Sequence, residues 1–266
     1  MKNLTLFPTL TLLLALAGAV SFSLTDAGAD EGKELRILSY NIHAGIGTDK
    51  VYDLERIAAV IKSTNPHIVA LQEVDKETKR SRGIDIAKKL GELTGMKSVF
   101  GASIEIGGGE YGNAILTTLD IEKTETLPIP QEIEVEQRSV LSANLTFKGE
   151  TIQVLATHLC HRETANRVAA AEFIIARQAP AGTASFVIGD LNDLPASEPL
   201  NILAKAGWQN PAKSPVFTFP SAEPNRQIDY VLVRPAKSEN LAAKTIEVID
   251  EAVASDHCPL LVVFDP

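Results

Sequence analysis

Eight residues near the middle of the chain, Phe186-Val187-Ile188-Gly189-Asp190-Leu191-Asn192-Asp193, carry an apolar run through a glycine into acids and an amide. The β-branched core of the run predicts a buried strand. Gly189 permits a bend or a close approach as that strand ends. Asp190 and Asn192 are two positions apart, so in an extended segment they point the same way. Two oxygen-bearing side chains at the end of a buried strand suit a hydrated divalent cation or an attacking water. The same residue types also build turns, so this stretch alone leaves both readings open.

The event recurs along the chain. Asn41 lies near the far end of the alternating segment Leu35–His43, and Glu73 follows the apolar run Ile68-Val69-Ala70-Leu71. His158 ends Thr151–Thr157, Asp229 stands near the start of Ile228–Val233, and Asp256-His257 precede the closing apolar run. Each has a bland alternative. Asn at a strand end makes turns, a lone His is commonly a satisfied polar residue, and a carboxylate in apolar surroundings needs a partner, which an arginine supplies as well as a metal does. Asn41, Glu73, His158, Asp190, Asn192 and Asp256-His257 make six polar strand ends in one domain, which point to a single rim where strands meet. Their donors are mostly oxygens and no HxxxH or CxxC spacing occurs, which disfavours zinc and favours Mg²⁺, with Mn²⁺ or Ca²⁺ as alternatives.

The elements that must position these groups read as strands separated by a few helices. Asp53 is a candidate N-cap for a helix that Asn65-Pro66 stops. Ile84–Thr94 reads as a second helix with Gly95 as its C-cap, Glu163–Gln178 as a third carrying Arg167, and Leu200–Ala206 as a fourth. Further strands are expected at Val99–Ile104, Tyr111–Leu116 and Ser139–Leu145, the last opened by Arg138. Gly107-Gly108-Gly109-Glu110 lacks the Lys and Ser/Thr of a phosphate-binding loop and reads as a turn. Lys76, Lys79, Arg80 and Arg82 form a basic loop, either a solvated charge run or a substrate contact. Two β–α alternations followed by several successive strands argue for an α+β layered domain.

Length and composition bound the rest. The 266 residues hold one large domain or two small ones, and 45% hydrophobic content supports a real core. No linker divides the chain. The formal net charge of -9 weakens the case for an avid nonspecific nucleic-acid binder. It does not exclude a hydrolase of phosphate esters, in which a bound metal inverts the local sign. Lys2, the apolar stretch Leu4–Val20 and Ala27-Gly28-Ala29 have the form of a cleavable signal peptide over residues 1–29. An uncleaved single-pass anchor is the competing reading. The mature region 30–266 is then expected to be a monomeric domain, periplasmic or secreted, with no integral membrane segment.

Seven pieces in order, Ser39-Tyr40-Asn41-Ile42, Leu71-Gln72-Glu73-Val74, Tyr111-Gly112-Asn113-Ala114-Ile115-Leu116, Thr157-His158-Leu159, Gly189-Asp190-Leu191-Asn192, Ile228-Asp229-Tyr230 and Ser255-Asp256-His257, make the chain resemble the endonuclease/exonuclease/phosphatase superfamily over about residues 35–264. The resemblance implies a four-layer α/β/β/α sandwich of two mixed, mainly antiparallel sheets flanked by helices. It also implies metal-dependent hydrolysis of a phosphodiester or phosphomonoester in a nucleic acid, a phospholipid headgroup, or a sugar or inositol phosphate. By that similarity Glu73 is the main metal ligand, with Asn41 and Asp256 close by. Asp190 and Asn192 orient and deprotonate water, and His257, held by Asp229, protonates or stabilises phosphate oxygen. His158 faces the phosphate from the other side with Asn113 as its orienting partner, and Arg138 lies near the phosphate. A noncatalytic phosphate- or headgroup-binding module on the same fold is the alternative.

Cys160-His161-Arg162 departs from the family, whose members more often carry a small polar or acidic residue after the leucine. His161 and Arg162 either touch a substrate phosphate or lie in solvent. Because Cys160 follows His158 closely and Cys258 adjoins His257, a Cys160–Cys258 disulfide is expected if both histidines line one site. Pro215-Val216-Phe217-Thr218-Phe219-Pro220, followed by Arg226-Gln227-Ile228-Asp229, resembles a family loop leading to the Asp and is a place for substrate contacts, unless Phe217 and Phe219 pack into the core.

Overall fold

The computed structural model of the chain describes Met1, residues 34–236 and residues 241–265. Apart from Met1, the expected leader over residues 1–29 lies outside the described residues. In order, the elements are β1 (Leu35–Asn41), α1 (Leu54–Ser63), β2 (Ile68–Lys76), α2 (Ile86–Thr94), β3 (Lys97–Ile106), β4 (Gly109–Thr117), β5 (Asp120–Pro128), β6 (Ser139–Phe147), β7 (Glu150–His158), α3 (Thr164–Arg177), β8 (Ser185–Asp190), α4 (Glu198–Lys205), β9 (Asp229–Arg234), β10 (Ala242–Val248) and β11 (Leu260–Asp265).

The strands form two sheets, ordered β10-β11-β1-β2-β4-β3 and β5-β6-β7-β8-β9. All neighbours are antiparallel except β1 with β2 and β7 with β8. Parallel neighbours need a crossover, and α1 and α3 supply the two crossovers. Asp53 caps α1 by accepting from the Arg56 N–H, and Gly95 closes α2 in the left-handed conformation.

Residue parity builds the layers. On β1, Leu35 and Ile37 face the opposite sheet, while Leu38 and Tyr40 face α1 and α2. On β8, Phe186 and Ile188 face between the sheets and Val187 faces α3 and α4. Val154 and Ala156 of β7 and Val231 and Val233 of β9 join the same central core. One apolar layer therefore fills the space between the sheets, and one more lies under each helix pair, giving a four-layer α/β/β/α sandwich. Each fully buried Leu, Ile or Phe contributes about 1.5–3 kcal/mol of transfer free energy. That contribution accounts for the strictness of the alternation.

Three local expectations are corrected. β2 does not end at Glu73 but runs on to Lys76, with a register shift against β4 between Leu71 and Val74. β5 and β10, which sequence reading passed over, are edge strands with mostly exposed or half-buried side chains. The fourth helix starts at Glu198 rather than Leu200.

Gly189 is the point at which β8 tolerates no side chain. Its φ is +148°, and a Cβ there would lie 1.8 Å from the carbonyl oxygen of Thr157, its register partner on β7. Gly189→Ala is expected to cost about 3 kcal/mol or more, which is about 10 °C in Tm for a domain of this size. Scanning calorimetry checks this; a Tm within a few degrees of wild type would contradict it.

Candidate active site

The strand registers line up the first three site residues. His158 pairs with Asp190 across the parallel β7–β8 ladder, and Asp190 pairs with Asp229 across β8–β9. Parity keeps each on the inter-sheet face: His158 extends the row Val154-Ala156, Asp190 the row Phe186-Ile188, and Asp229 precedes Val231. Asn41 extends the row Leu35-Ile37 from the facing sheet. Where the apolar rows stop, polar groups continue them, and these meet at one edge of the sandwich.

Asp190 is the meeting point. Its Oδ2 lies 3.3 Å from Asn41 Nδ2, 3.5 Å from His158 Nε2 and 3.7 Å from His257 Nε2. Its Oδ1 accepts from the Asn192 N–H at 2.9 Å. Burial first, and then the neighbouring Asp229 carboxylate, hold Asp190 above the usual carboxylate range, against the pull of His257, the Asn192 N–H and Asn41.

The two imidazoles differ in charge for reasons visible in their partners. His257 Nδ1 donates to Asp229 Oδ2 at 2.9 Å, and Thr218 Oγ1 donates to the same oxygen at 2.6 Å. Burial opposes the charge on His257, but the Asp229 carboxylate and its hydrogen bond, with Asp190 and Asp256 beyond, raise it to about 10. At His158 the Nδ1 neighbour is a guanidinium instead of a carboxylate, and Asp190 stands 3.5 Å from Nε2. Burial, Arg138 and His257 hold His158 well below its ordinary value. Arg138 approaches His158 Nδ1 at 3.2 Å, and a guanidinium only donates. Nδ1 therefore accepts, and the neutral ring carries its proton on Nε2, facing Asp190.

A break in β2 aims Glu73. Unbroken alternation from Val69 and Leu71 would turn Glu73 under the helices. Instead Val74 takes the helix-facing place, and Glu73 adopts φ +57° in the bulge. Bulges re-aim side chains in this way. Glu73 Oε1 then accepts from Asn41 Nδ2 at 3.1 Å. Among the described residues no cation lies within ion-pair distance of Glu73, and it lines the same cleft as Asp256, His158, Asp190 and His257, a space of about 530 Å³. Two carboxylates without a pairing cation are a hard oxygen set that fits Mg²⁺, Mn²⁺ or Ca²⁺. Asn41 turns its nitrogen to the acids, because its Oδ1 accepts from the His43 N–H. In this orientation it braces Glu73 and Asp190, and presenting oxygen to an ion would require its amide to turn over. Asp190, Asp229 and His257 also offer atoms within 4.8 Å of one another. The Asp229 oxygen and His257 Nδ1 are already engaged with each other, so that trio reads better as a proton-holding relay than as a cation cage.

Of the remaining candidates, Asn192 and Arg138 line the cleft and Asn113 does not. Asn192, at φ +51°, ties its side-chain amide to the Leu159 carbonyl at 3.0 Å, joining the ends of β7 and β8. Asn113 does not orient His158. Its Nδ2 donates to the Ser139 carbonyl at 3.1 Å, and Arg138 holds the His158 ring instead. In the basic stretch, Lys76 at the end of β2 pairs with Glu110, Arg80 grips the buried Asp75 with two bonds of 2.6 and 2.8 Å, and Arg82 lies over the Tyr52 ring. Arg167 bridges Asp193 and the Cys160 carbonyl, fastening the loops that carry the site.

Sequence reading missed Glu136, and it placed Thr218 and Arg226 in a candidate contact loop without foreseeing their partners. Thr218 touches Asp229, Glu136 pairs with Arg138 at 3.0 Å, and Arg226 lies over the Phe219 ring, which in turn packs on His257. Phe219 lines the cleft while Phe217 is exposed, so neither packs in the core. The expected Cys160–Cys258 disulfide is absent: both are buried free thiols. Cys160 Sγ turns to the Glu163 N–H, and Cys258 Sγ turns to the Ser221 and Glu251 carbonyls.

Comparison with known proteins agrees with this geometry. A sequence model described as the Endonuclease/Exonuclease/phosphatase family matches residues 38–257. No curated protein matches the sequence. Among solved structures, an endonuclease/exonuclease/phosphatase from Beutenbergia cavernae DSM 12333 superposes with a TM-score of 0.72 at 23% identity, covering 88% of this chain and 72% of that one. A mannosyl-6-phosphatase of Bacteroides thetaiotaomicron VPI-5482 gives 0.69 at 18% identity, covering 86% and 98%. D. rerio TDP2 complexed with a single-strand DNA product gives 0.69 at 19%, covering 88% and 99%. At these identities the structures show a shared fold.

The Asp229–His257 pair sets a pH dependence. The folded value of about 10 lies above the ordinary 6.5. The stability contributed by the pair is therefore complete below about pH 6.5 and is lost as pH rises towards 10. In metal-free protein, NMR of the imidazole should show His257 protonated through neutral pH. Asp229→Asn should lower that titration by more than about one unit and flatten the decline in stability. An unshifted His257 in wild type would contradict the assignment.

Proposed function

The chain belongs to the endonuclease/exonuclease/phosphatase family, and on that premise we propose that it is an exported, divalent-metal-dependent phosphoesterase attacking a phosphate ester in line with water. One observation carries the reading: Asp190 Oδ2 lies within 3.7 Å of the Nε2 atoms of both imidazoles, at the wall of a cleft that also holds the uncompensated Glu73. Phosphoryl transfer needs an aligned nucleophile and charge neutralised on the phosphate oxygens.

The side chains divide that work. Asp190, held above the usual carboxylate range, accepts the proton of an attacking water near neutral pH. The Asn192 N–H fixes its Oδ1 and leaves Oδ2 towards the cleft. Neutral His158 donates from Nε2, its ring set by Arg138. Charged His257 donates from Nε2 on the other side, its ring set by Asp229 and Thr218. It can give a proton to the leaving oxygen. Glu73 and Asp256 would hold the divalent ion, which supplies charge neutralisation on the non-bridging oxygens.

A phosphatase and a DNA-product complex among the structural relatives support a substrate range spanning monoesters and diesters. Sugar phosphates, nucleic acids and phospholipid headgroups all fall within it. A noncatalytic binder would have no need for two imidazoles tuned to opposite charge states. The sequence features of residues 1–29 support export. N-terminal sequencing of protein recovered outside the cytoplasm should begin at Asp30.

Hydrolysis of p-nitrophenyl phosphate or bis-p-nitrophenyl phosphate should require Mg²⁺ or Mn²⁺ and stop with EDTA. Asp190→Asn, His257→Ala and Glu73→Ala should each lower kcat by about 10²–10⁴-fold while leaving the protein folded. Folded wild type inactive on every phosphate ester tested, with metal present, would favour the binder.

A further inference from the structure

At the edge of the cleft, three donor side chains, of which only Arg138 has been given a role above, meet with too few acceptors. Arg138 turns one terminal nitrogen to His158 Nδ1 at 3.2 Å and the other to His161 Nδ1 at 3.5 Å. Arg162 brings its Nε to His161 Nε2 at 3.2 Å. Guanidinium groups only donate, and a neutral imidazole has a single acceptor nitrogen. In either tautomer of His161 one of its two contacts sets donor against donor, and protonation sets both so. Burial, Arg138 and Arg162 together hold His161 below its ordinary pKa. The small pocket here, about 80 Å³, has Glu136 as its single lining acid, and Glu136 is already paired with Arg138 at 3.0 Å. Arg162 and His161 are exposed to solvent. Two donors facing one imidazole, with no free carboxylate in the pocket, form a group that an oxyanion would complete.

We propose that His161 and Arg162, with Arg138 as the dividing wall, form a second anion subsite, and that the substrate is a phosphate ester bearing another phosphate or similar oxyanion a few bonds from the first. For its scissile-phosphate site this rests on the phosphoesterase reading above. A single guanidinium touches both His158 and His161, so the two anions flank one side chain. Neighbouring phosphates of a nucleic-acid strand, or two phosphates on one small sugar, have that relationship. The scissile group meets the neutral His158 face, and the second group meets the planar fork of Arg162. A substrate with one anion leaves the donor conflict at His161 in place.

The test uses the mature wild-type protein and the His161→Ala/Arg162→Ala double variant, both changes lying at exposed positions. Calorimetric titration with inorganic pyrophosphate and with inorganic phosphate, in the absence of metal, reads the subsite without turnover. Wild type should prefer pyrophosphate by about tenfold or more, as one charge-assisted hydrogen bond implies, and the variant should lose that preference. With Mg²⁺, the ratio of kcat/KM should be compared for a hexose bisphosphate over its monophosphate, and for a 5′-phosphorylated dinucleotide over the unphosphorylated one. The pair whose ratio falls about tenfold in the variant identifies the source of the second anion. Active wild type with all three ratios unchanged in the variant overturns the subsite. Pyrophosphate preference present and lost as expected, with no hydrolysis of any ester, upholds the subsite and removes the phosphoesterase reading instead.

Discussion

A carboxylate buried between two sheets is costly unless donors reach it from several directions, and Asp190 is such a carboxylate. Donors reach it from both sheets and from the loops beyond them. Asn41 arrives from β1 of one sheet, His158 from β7 of the other, the Asn192 N–H from the turn that follows, and His257 from the loop ahead of β11. Each donor constrains something else. Asn41 also holds Glu73, His158 fixes the reach of Arg138, and His257 engages Asp229 and through it Thr218. Satisfying one buried charge thus organises the whole edge of the sandwich. It also leaves Asp190 poised, because burial and the Asp229 charge oppose its ionisation while His257, the Asn192 N–H and Asn41 favour it.

Much of this is legible before any coordinates. Period-two alternation places Asn41, His158, Asp190 and Asp229 on the same side of their strands as the apolar rows Leu35-Ile37, Val154-Ala156, Phe186-Ile188 and Val231-Val233. An inter-sheet core with polar ends follows from that pattern alone. The α+β layers, the helix caps at Asp53 and Gly95 and the oxygen-rich donor set are readable in the same way. Glu73 is different. Its neighbours Ile68-Val69-Ala70-Leu71 signal a buried strand, but nothing local announces that Gln72 and Glu73 bulge. The bulge appears only against the partner strand β4, since register is a property of two strands.

What escaped the sequence has physical causes. β5 and β10 sit at sheet edges, where half of the backbone pairing and most of the burial are missing. Such strands lack the apolar rows that pattern reading depends on. Thr218 carries no signature, because a buried hydroxyl bonded to Asp229 looks in sequence like any loop threonine. The disulfide expectation failed for a directional reason. His158 and His257 converge on Asp190, but the cysteines near them turn elsewhere, Cys160 towards the start of α3 and Cys258 towards the loop around Glu251. Proximity in sequence to two convergent side chains does not transmit their direction.

Charge shows how a protein of net charge -9 can present a site for anions. Of the acids lining or bordering the cleft, Asp190 accepts from Asn41 and the Asn192 N–H with two imidazoles close by, Asp229 is met by His257 and Thr218, and Glu136 by Arg138, while Glu73 and Asp256 have no cation at ion-pair distance among the described residues. The groups facing outward from that arrangement are therefore donors: the Nε2 atoms of two histidines, Arg226 over Phe219, and Arg162 beside His161. Net charge governs long-range approach, and salt screens it over about 8–10 Å. Recognition at contact depends on which hydrogen-bonding capacity remains unanswered once the internal pairs have formed. In this molecule the cleft offers donors from its histidines and arginines, and also two carboxylates, Glu73 and Asp256, that have no cation at ion-pair distance among the described residues.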